Sequence, residues 1–141
     1  MEMNQSLRYN HPISLAFVDI DNFKLVNDNQ GHACGDKLLQ LVSRAIRQTI
    51  RTTDIAGRIG GDEFTICYPE TGEDHVRQAI EKLIEALEKM TNQYGWQVTA
   101  SIGVVTCSQI YDTYDELLEK ADKLMYVAKF RGKNAAEFMT I

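Results

Sequence analysis

The stretch Arg58-Ile59-Gly60-Gly61-Asp62-Glu63-Phe64-Thr65-Ile66-Cys67-Tyr68-Pro69 decides the fold. Short apolar-alternating runs flank a Gly-Gly pair, and two acidic residues follow the pair at once. Gly-Gly between such runs predicts a tight β-hairpin, because glycine enters positive φ without the Cβ clash that other residues suffer there. A turn without Cβ atoms lets a bulky polyanion approach the backbone. The adjacent carboxylates of Asp62 and Glu63 are placed to hold a hard cation such as Mg²⁺ against phosphate. The same residues also suit an ordinary acidic hairpin tip, since glycine and acidic side chains are common in turns.

Upstream of the hairpin, Ile13-Ser14-Leu15-Ala16-Phe17-Val18 is a nearly continuous apolar run, as in a strand covered on both faces. It ends in Asp19-Ile20-Asp21. A carboxylate at the end of a buried strand is costly to desolvate unless a cation or several donors meet it, so Asp19 and Asp21 are candidate metal ligands. If the strand runs through them, their side chains share a face. Capping of the next helix by Asp21 or Asn22 is the plain alternative. From Asn22 to Asp36 the composition predicts a short helical turn and then a loop rich in Asn, Asp and Gly. Such a loop offers amide and carboxylate groups to a purine edge. Lys37 to Ile50 reads as an amphipathic helix, and Ile55–Ile59 and Phe64–Tyr68 as the hairpin strands.

Downstream, Gly72-Glu73-Asp74 opens a second amphipathic helix to about Met90. Trp96 to Thr106 is β-rich, with a bend or bulge expected near Gly103. Thr113-x-x-Glu116 is a capping-box pattern for a third helix, whose basic end holds Lys129, Arg131, Gly132 and Lys133. Gly132 suits a C-cap, and cations there are favoured by the helix dipole. Ala135 to Met139 can form a last strand, and residues 2–10 have weak helical character that His11-Pro12 breaks. This order predicts an α/β sandwich, an α+β arrangement with a mainly antiparallel central sheet flanked by helices. In that arrangement the end of the first strand and the hairpin tip lie side by side, bringing Asp19 to Asp62. Two carboxylates sharing divalent ions fit a two-metal phosphoryl-transfer site.

Composition sets the class. At 141 residues the chain is expected to form one domain, residues 1–141, able to bury ~68% of its unfolded surface. A net charge of −5 argues against broad binding to nucleic acid, so a phosphate ligand must be gripped by local cations. Cys34, Cys67 and Cys107 form no CxxC pattern and read as small core residues in a reducing compartment. No apolar run approaches ~18 residues, so the chain reads as cytoplasmic, although a longer parent could be membrane-anchored upstream.

The hairpin resembles the signature of the GGDEF-domain diguanylate cyclases, standing unaltered as Gly60-Gly61-Asp62-Glu63-Phe64. The run Asp19-Ile20-Asp21-Asn22-Phe23-Lys24-x-Val26-Asn27-Asp28-x-x-Gly31-His32-x-x-Gly35-Asp36 resembles the family pattern at the matching separation. So does the ending Tyr126-x-Ala128-Lys129-x-x-Gly132-Lys133-Asn134. The likeness covers nearly the whole chain, and three motifs in order make it specific. It implies a nucleotidyl cyclase or polymerase palm fold and an enzyme that condenses two GTP into cyclic di-GMP and two pyrophosphates across a transient antiparallel homodimer.

Carried over by position, Asp19, the Ile20 carbonyl and Asp62 resemble the ligands of two Mg²⁺ or Mn²⁺ ions. Glu63 resembles an aid to deprotonation of the 3′-hydroxyl. Asn27 and Asp36 resemble guanine readers, and Lys24, Lys129 and Lys133 the cations that neutralise the triphosphate, with Gly60 and Gly61 leaving its backbone room. Asp21 becomes a supporting residue, on the expectation that a strand ending at Ile20 turns it away. Arg51-x-x-Asp54, ending six residues ahead of Gly60, matches the family's inhibitory product site, although the spacing alone equally suits a solvated charge pair. Two features depart from the pattern: Lys133 stands where the family often has arginine, and the usual opening segment is absent before Leu7. An upstream sensory domain is expected in the parent. A catalytically weak module that binds GTP or cyclic di-GMP is the alternative.

Overall fold

The computed structural model describes residues 11–96, 98–108 and 113–141. The helical character expected of residues 2–10, and the opening segment sought before Leu7, lie outside them. The apolar run is strand β1 (Ile13–Ile20), and all eight of its residues are buried. It occupies the centre of a five-stranded sheet in the order β2-β3-β1-β4-β5, where β2 is Ile55–Arg58, β3 Glu63–Tyr68, β4 Ala100–Cys107 and β5 Ala135–Thr140. β1 runs antiparallel to both β3 and β4, β2 runs antiparallel to β3, and β5 joins β4 in parallel. The mainly antiparallel sheet read from the sequence is therefore present.

Helices α1 (Phe23–Gln30), α2 (His32–Thr49), α3 (Glu73–Asn92) and α4 (Tyr114–Phe130) flank it. Side chains alternate across β1. Ala16, Val18 and Ile20 pack with Leu38, Val42 and Ile46 of α2 and with Val76, Ile80 and Leu83 of α3. Ile13, Leu15 and Phe17 pack on the other face with Leu117, Ala121 and Met125 of α4. Each fully buried Leu or Ile contributes about 1.5–3 kcal/mol, so these two cores fix the register of β1. That register decides the site, because the parity that sends Leu15 and Phe17 toward α4 sends Asp19 there too.

Four expectations need correction. The loop foreseen before Lys37 is helical: α2 begins at His32 and meets α1 at Gly31, whose φ of 90° permits an abrupt change of direction. The hairpin is looser than a two-residue turn. Residues 59–62 connect its strands, Ile59 N donates to the Glu63 carbonyl at 2.9 Å, and neither Gly60 nor Gly61 has positive φ. Gly103 makes no bulge, since the β1–β4 register runs unbroken from Ile13↔Cys107 to Ile20↔Ala100. A Cβ there would collide with the Ala121 carbonyl and the Met125 amide, so glycine lets the backbones of α4 and β4 touch. Asn22 occupies the N-cap position of α1 without a side-chain cap bond.

The capping box does form: Thr113 Oγ1 accepts from the Glu116 amide at 3.3 Å. After α4, Gly132 (φ 122°) takes the left-handed turn and Lys133 N returns to the Ala128 carbonyl at 3.0 Å. Lys133 and Asn134 follow with φ of 67° and 48°, an uncommon conformation for residues with a Cβ.

Candidate active site

The acidic groups converge where β1 ends beside the hairpin tip. Asp19 stands opposite Glu63 in the β1–β3 register, and Ile20 N donates to the Asp62 carbonyl at 3.2 Å. Asp19 is only 8% exposed, and its Oδ1 is buried without a hydrogen-bond partner among the described residues. Lys129 Nζ, on the last turn of α4, approaches that oxygen to 3.4 Å. Burial, then the nearby charge of Asp62, push the Asp19 carboxyl up to about 6 against the pull of Lys129. Burial and the charges of Asp62 and Asp122 raise Glu63 as well. A buried carboxylate with an unsatisfied oxygen and a second carboxylate beside it is short of positive charge. Its oxygen donors are those a hard divalent cation takes.

Asp21 is arranged differently. Its Oδ1 accepts from Ser101 Oγ at 2.6 Å, and its Oδ2 from Thr99 Oγ1 at 2.7 Å and from the Asn134 amide at 2.9 Å. Lys129 Nζ is also 3.4 Å from Oδ1. Burial opposes ionisation, but the bonds from Ser101, Thr99 and Asn134 and the Lys129 charge outweigh it and hold Asp21 below the usual carboxylate range. The expectation that Asp21 turns away is thus corrected: it reaches the same lysine as Asp19, and what sets it apart is that both its oxygens are already occupied. Its bond to Asn134 pins the left-handed turn, and Lys133 Nζ donates to Asn22 Oδ1 at 2.7 Å across the same junction. This carries the cations of the 129–134 segment to the end of β1.

Other expected residues lie around this centre. Asn27 of α1 packs its amide against Gly35 of α2, where a Cβ would collide with Oδ1, and Asp36, the next residue of α2, lines a groove with Arg44, Arg47 and Arg58. Lys24 is exposed in the first turn of α1, and no contact among the described residues joins it to the acidic pair. At the hairpin tip a Cβ on Gly60 would stand 2.9 Å from Glu63 Oε1, whereas one on Gly61 would meet nothing within 4 Å. Among the described residues no group of three or more His, Cys, Asp or Glu side chains forms a metal-holding cluster. No helix among the described residues is long and apolar enough to cross a membrane.

Arg51 and Asp54 lie at the opposite end of β3, beside a cavity of about 300 Å³ lined also by Thr49, Tyr68, Glu70 and Thr71. Asp54 is buried, and Arg51 grips it through Nη2 at 2.8 Å, Nε at 3.2 Å and its own amide at 2.8 Å. Arg51 Nη2 also donates to the Pro69 carbonyl and to Thr71 Oγ1, each at 2.8 Å. The reading as a loose solvated pair is corrected, because burial and several bonds make this a formed clamp.

Sequence reasoning passed over Thr99, Ser101 and Asp122. Thr99 and Ser101 are distant in sequence from Asp21 and meet it only through the β1–β4 ladder. Asp122 lies two helical turns before Lys129 on α4, and its Oδ1 is buried without a hydrogen-bond partner among the described residues. That spacing was the available signal.

This sheet order, with acidic and basic groups gathered at one end of β1, is the palm-like arrangement that the hairpin motif implied. The family profile described as "Diguanylate cyclase, GGDEF domain" matches residues 1–135, and the chain belongs to that family. It is 34% identical over 140 residues to diguanylate cyclase DosC of Escherichia coli, covering 96% of this chain and 30% of that protein. It is 38% identical over 123 residues to diguanylate cyclase DgcS of Shewanella oneidensis, covering 86% and 40% respectively. The chain thus spans about a third of the length of these curated relatives. Among solved structures, diguanylate cyclase SiaD of Pseudomonas aeruginosa, in complex with its activator SiaC, superposes with a TM-score of 0.89 at 33% identity, covering 97% of this chain and 54% of that one.

Proposed function

We propose that the chain is the catalytic domain of a diguanylate cyclase, joining two GTP into cyclic di-GMP with release of two pyrophosphates. The observation that carries this reading is the meeting of Asp19, Asp62 and Lys129 beside the Gly60-Gly61 turn. The reaction pairs two protomers, each holding one GTP, in an antiparallel homodimer. Each 3′-hydroxyl oxygen bonds to the facing α-phosphorus, the bond from that phosphorus to the β-phosphate oxygen breaks, and pyrophosphate leaves.

Asp19, Asp62 and the Ile20 carbonyl would hold Mg²⁺ or Mn²⁺, two ions per site, which when bound lower the hydroxyl pKa and neutralise phosphate charge. Glu63, whose carboxyl burial and then the charge of Asp62 raise above its ordinary value, is the candidate acceptor of the hydroxyl proton. Lys129 and Lys133, carried on the junction that Asp21 ties, neutralise the triphosphate, and Lys24 adds a cation from α1. Asn27 and Asp36 read guanine. Arg51 and Asp54 form an inhibitory product site, supported by the cavity beside them. The domain works in the cytoplasm and takes its input from a sensory domain of the parent protein.

A forced dimer of the chain, incubated with GTP and Mg²⁺, is expected to yield cyclic di-GMP and pyrophosphate, and the Asp62→Ala dimer neither. A parent dimer that binds GTP without turnover would instead favour the weak binding module.

A further inference from the structure

Arg58 closes β2, and the reading above gives it no task. Its guanidinium bends over the turn that follows: Nε donates to the Gly60 carbonyl at 3.0 Å and Nη2 to the Gly61 carbonyl at 2.7 Å. The next carbonyl, of Asp62, accepts from Ile20 N. Three successive carbonyls of the tip are therefore tied, two of them by one side chain.

The chain has no cis peptide bond among the described residues. In a planar trans peptide the C=O of one residue and the N–H of the next point in opposite directions. Holding the Gly60 and Gly61 carbonyls on Arg58 therefore turns the N–H groups of Gly61 and Asp62 to the other side of the turn. Among the described residues neither N–H has a hydrogen-bond acceptor. The space around Gly61 is open, as no atom lies within 4 Å of a Cβ built there. Two successive unpaired amides on an open turn form a concavity suited to an anion.

We propose that Arg58 is a positioning residue that holds the Gly61 and Asp62 amides out as a phosphate-receiving pair. It acts through the backbone, its side chain lining a groove with Asp36, Arg44 and Arg47. Arginine is required because its planar fork spans two carbonyls at once, whereas lysine has a single donor atom. The inference rests on the reading of this site as one that binds GTP.

The test compares the parent, Arg58→Ala and Arg58→Lys by equilibrium binding of guanosine and of a non-hydrolysable GTP analogue, in the presence of Mg²⁺. Arg58→Ala and Arg58→Lys are expected to lose roughly ten-fold or more in affinity for the analogue while binding guanosine as the parent does. Added guanidinium ion restores part of the loss in Arg58→Ala. Arg58→Lys keeps the charge, so it carries the comparison if Arg58→Ala fails to fold. Equal analogue affinity in parent and variants overturns this inference alone, as does a matching loss for guanosine, which marks a merely structural role. A parent that binds no analogue at all overturns the GTP reading together with it.

Discussion

Lys129 Nζ stands 3.4 Å from Asp19 Oδ1, the buried oxygen of that carboxylate which no hydrogen bond satisfies among the described residues. One lysine is shared by two carboxylates, because Asp21 Oδ1 lies at the same distance. The two acids differ in what else surrounds them. Asp21 has three further donors, while Asp19 faces Asp62. The first is built to stay ionised inside the fold, and the second is left short of positive charge.

The fold therefore stands to gain stability from losing the Asp19 charge. A carboxyl raised from 3.8 to about 6 is protonated more readily folded than unfolded, so stability falls as pH rises through that window. Asp19→Asn is expected to unfold about 2 kcal/mol harder than the parent at pH 7 without added metal. The difference should vanish below about pH 4, and cyclic di-GMP synthesis should be abolished. Urea unfolding at the two pH values checks the sign; a destabilised Asp19→Asn at pH 7 would refute the argument.

Asp21 predicts the opposite. Asp21→Ala leaves Ser101, Thr99, the Asn134 amide and Lys129 without their acceptor, at a cost of roughly 2–4 kcal/mol. Because its pKa is lowered in the fold, this contribution is present at neutral pH and fades as pH falls below the ordinary carboxylate range. Denaturation of parent and variant from pH 7 down to pH 3 should show the two curves converging. GTP-analogue affinity should fall with it, since the 129–134 junction is no longer pinned.

Gly35→Ala probes the guanine end. A Cβ would drive into the Asn27 amide, so Asn27 must rotate away while the helix itself gains about 1 kcal/mol of propensity. The expected outcome is a folded protein whose preference for GTP over ATP drops roughly ten-fold. Competition binding with the two nucleotides reads this directly, and an unchanged preference removes Asn27 from the guanine site.

Arg51→Ala has two consequences that must be separated. Feedback by cyclic di-GMP should disappear, and unfolding should become easier by about 1–2 kcal/mol because the buried Asp54 loses its guanidinium. Arg51 is half exposed, which keeps the second effect modest. Product titration by calorimetry, beside a thermal melt, distinguishes loss of the site from loss of the fold. An Arg51→Ala protein still inhibited like the parent would remove the pair from the product site.

Much of this was legible in the amino-acid order. The buried strand before Asp19, the Thr113 capping box and the hairpin strands are short-range patterns, set by side-chain periodicity and cap chemistry. The convergence of Asp19 with Asp62 also followed, because a hairpin placed next to the first strand leaves few ways to arrange the sheet. The glycines were harder. Gly103 and Gly35 look like a bulge and a loop residue in sequence, but each makes room for a group remote along the chain. Gly60 and Gly61 were expected to supply positive φ and do not.

The sequence by itself determined which elements form and which chemical groups they carry, since propensity, periodicity and charge are properties of neighbouring residues. Only the tertiary structure decided that Asp21 is saturated and Asp19 unsatisfied, that Lys129 is shared between them, and that Arg58 ties the Gly60 and Gly61 carbonyls. The reason is that burial and hydrogen-bond partnership depend on atoms brought together from strands and helices far apart in the chain. Two aspartates two positions apart acquire opposite electrostatics from partners that no local pattern names.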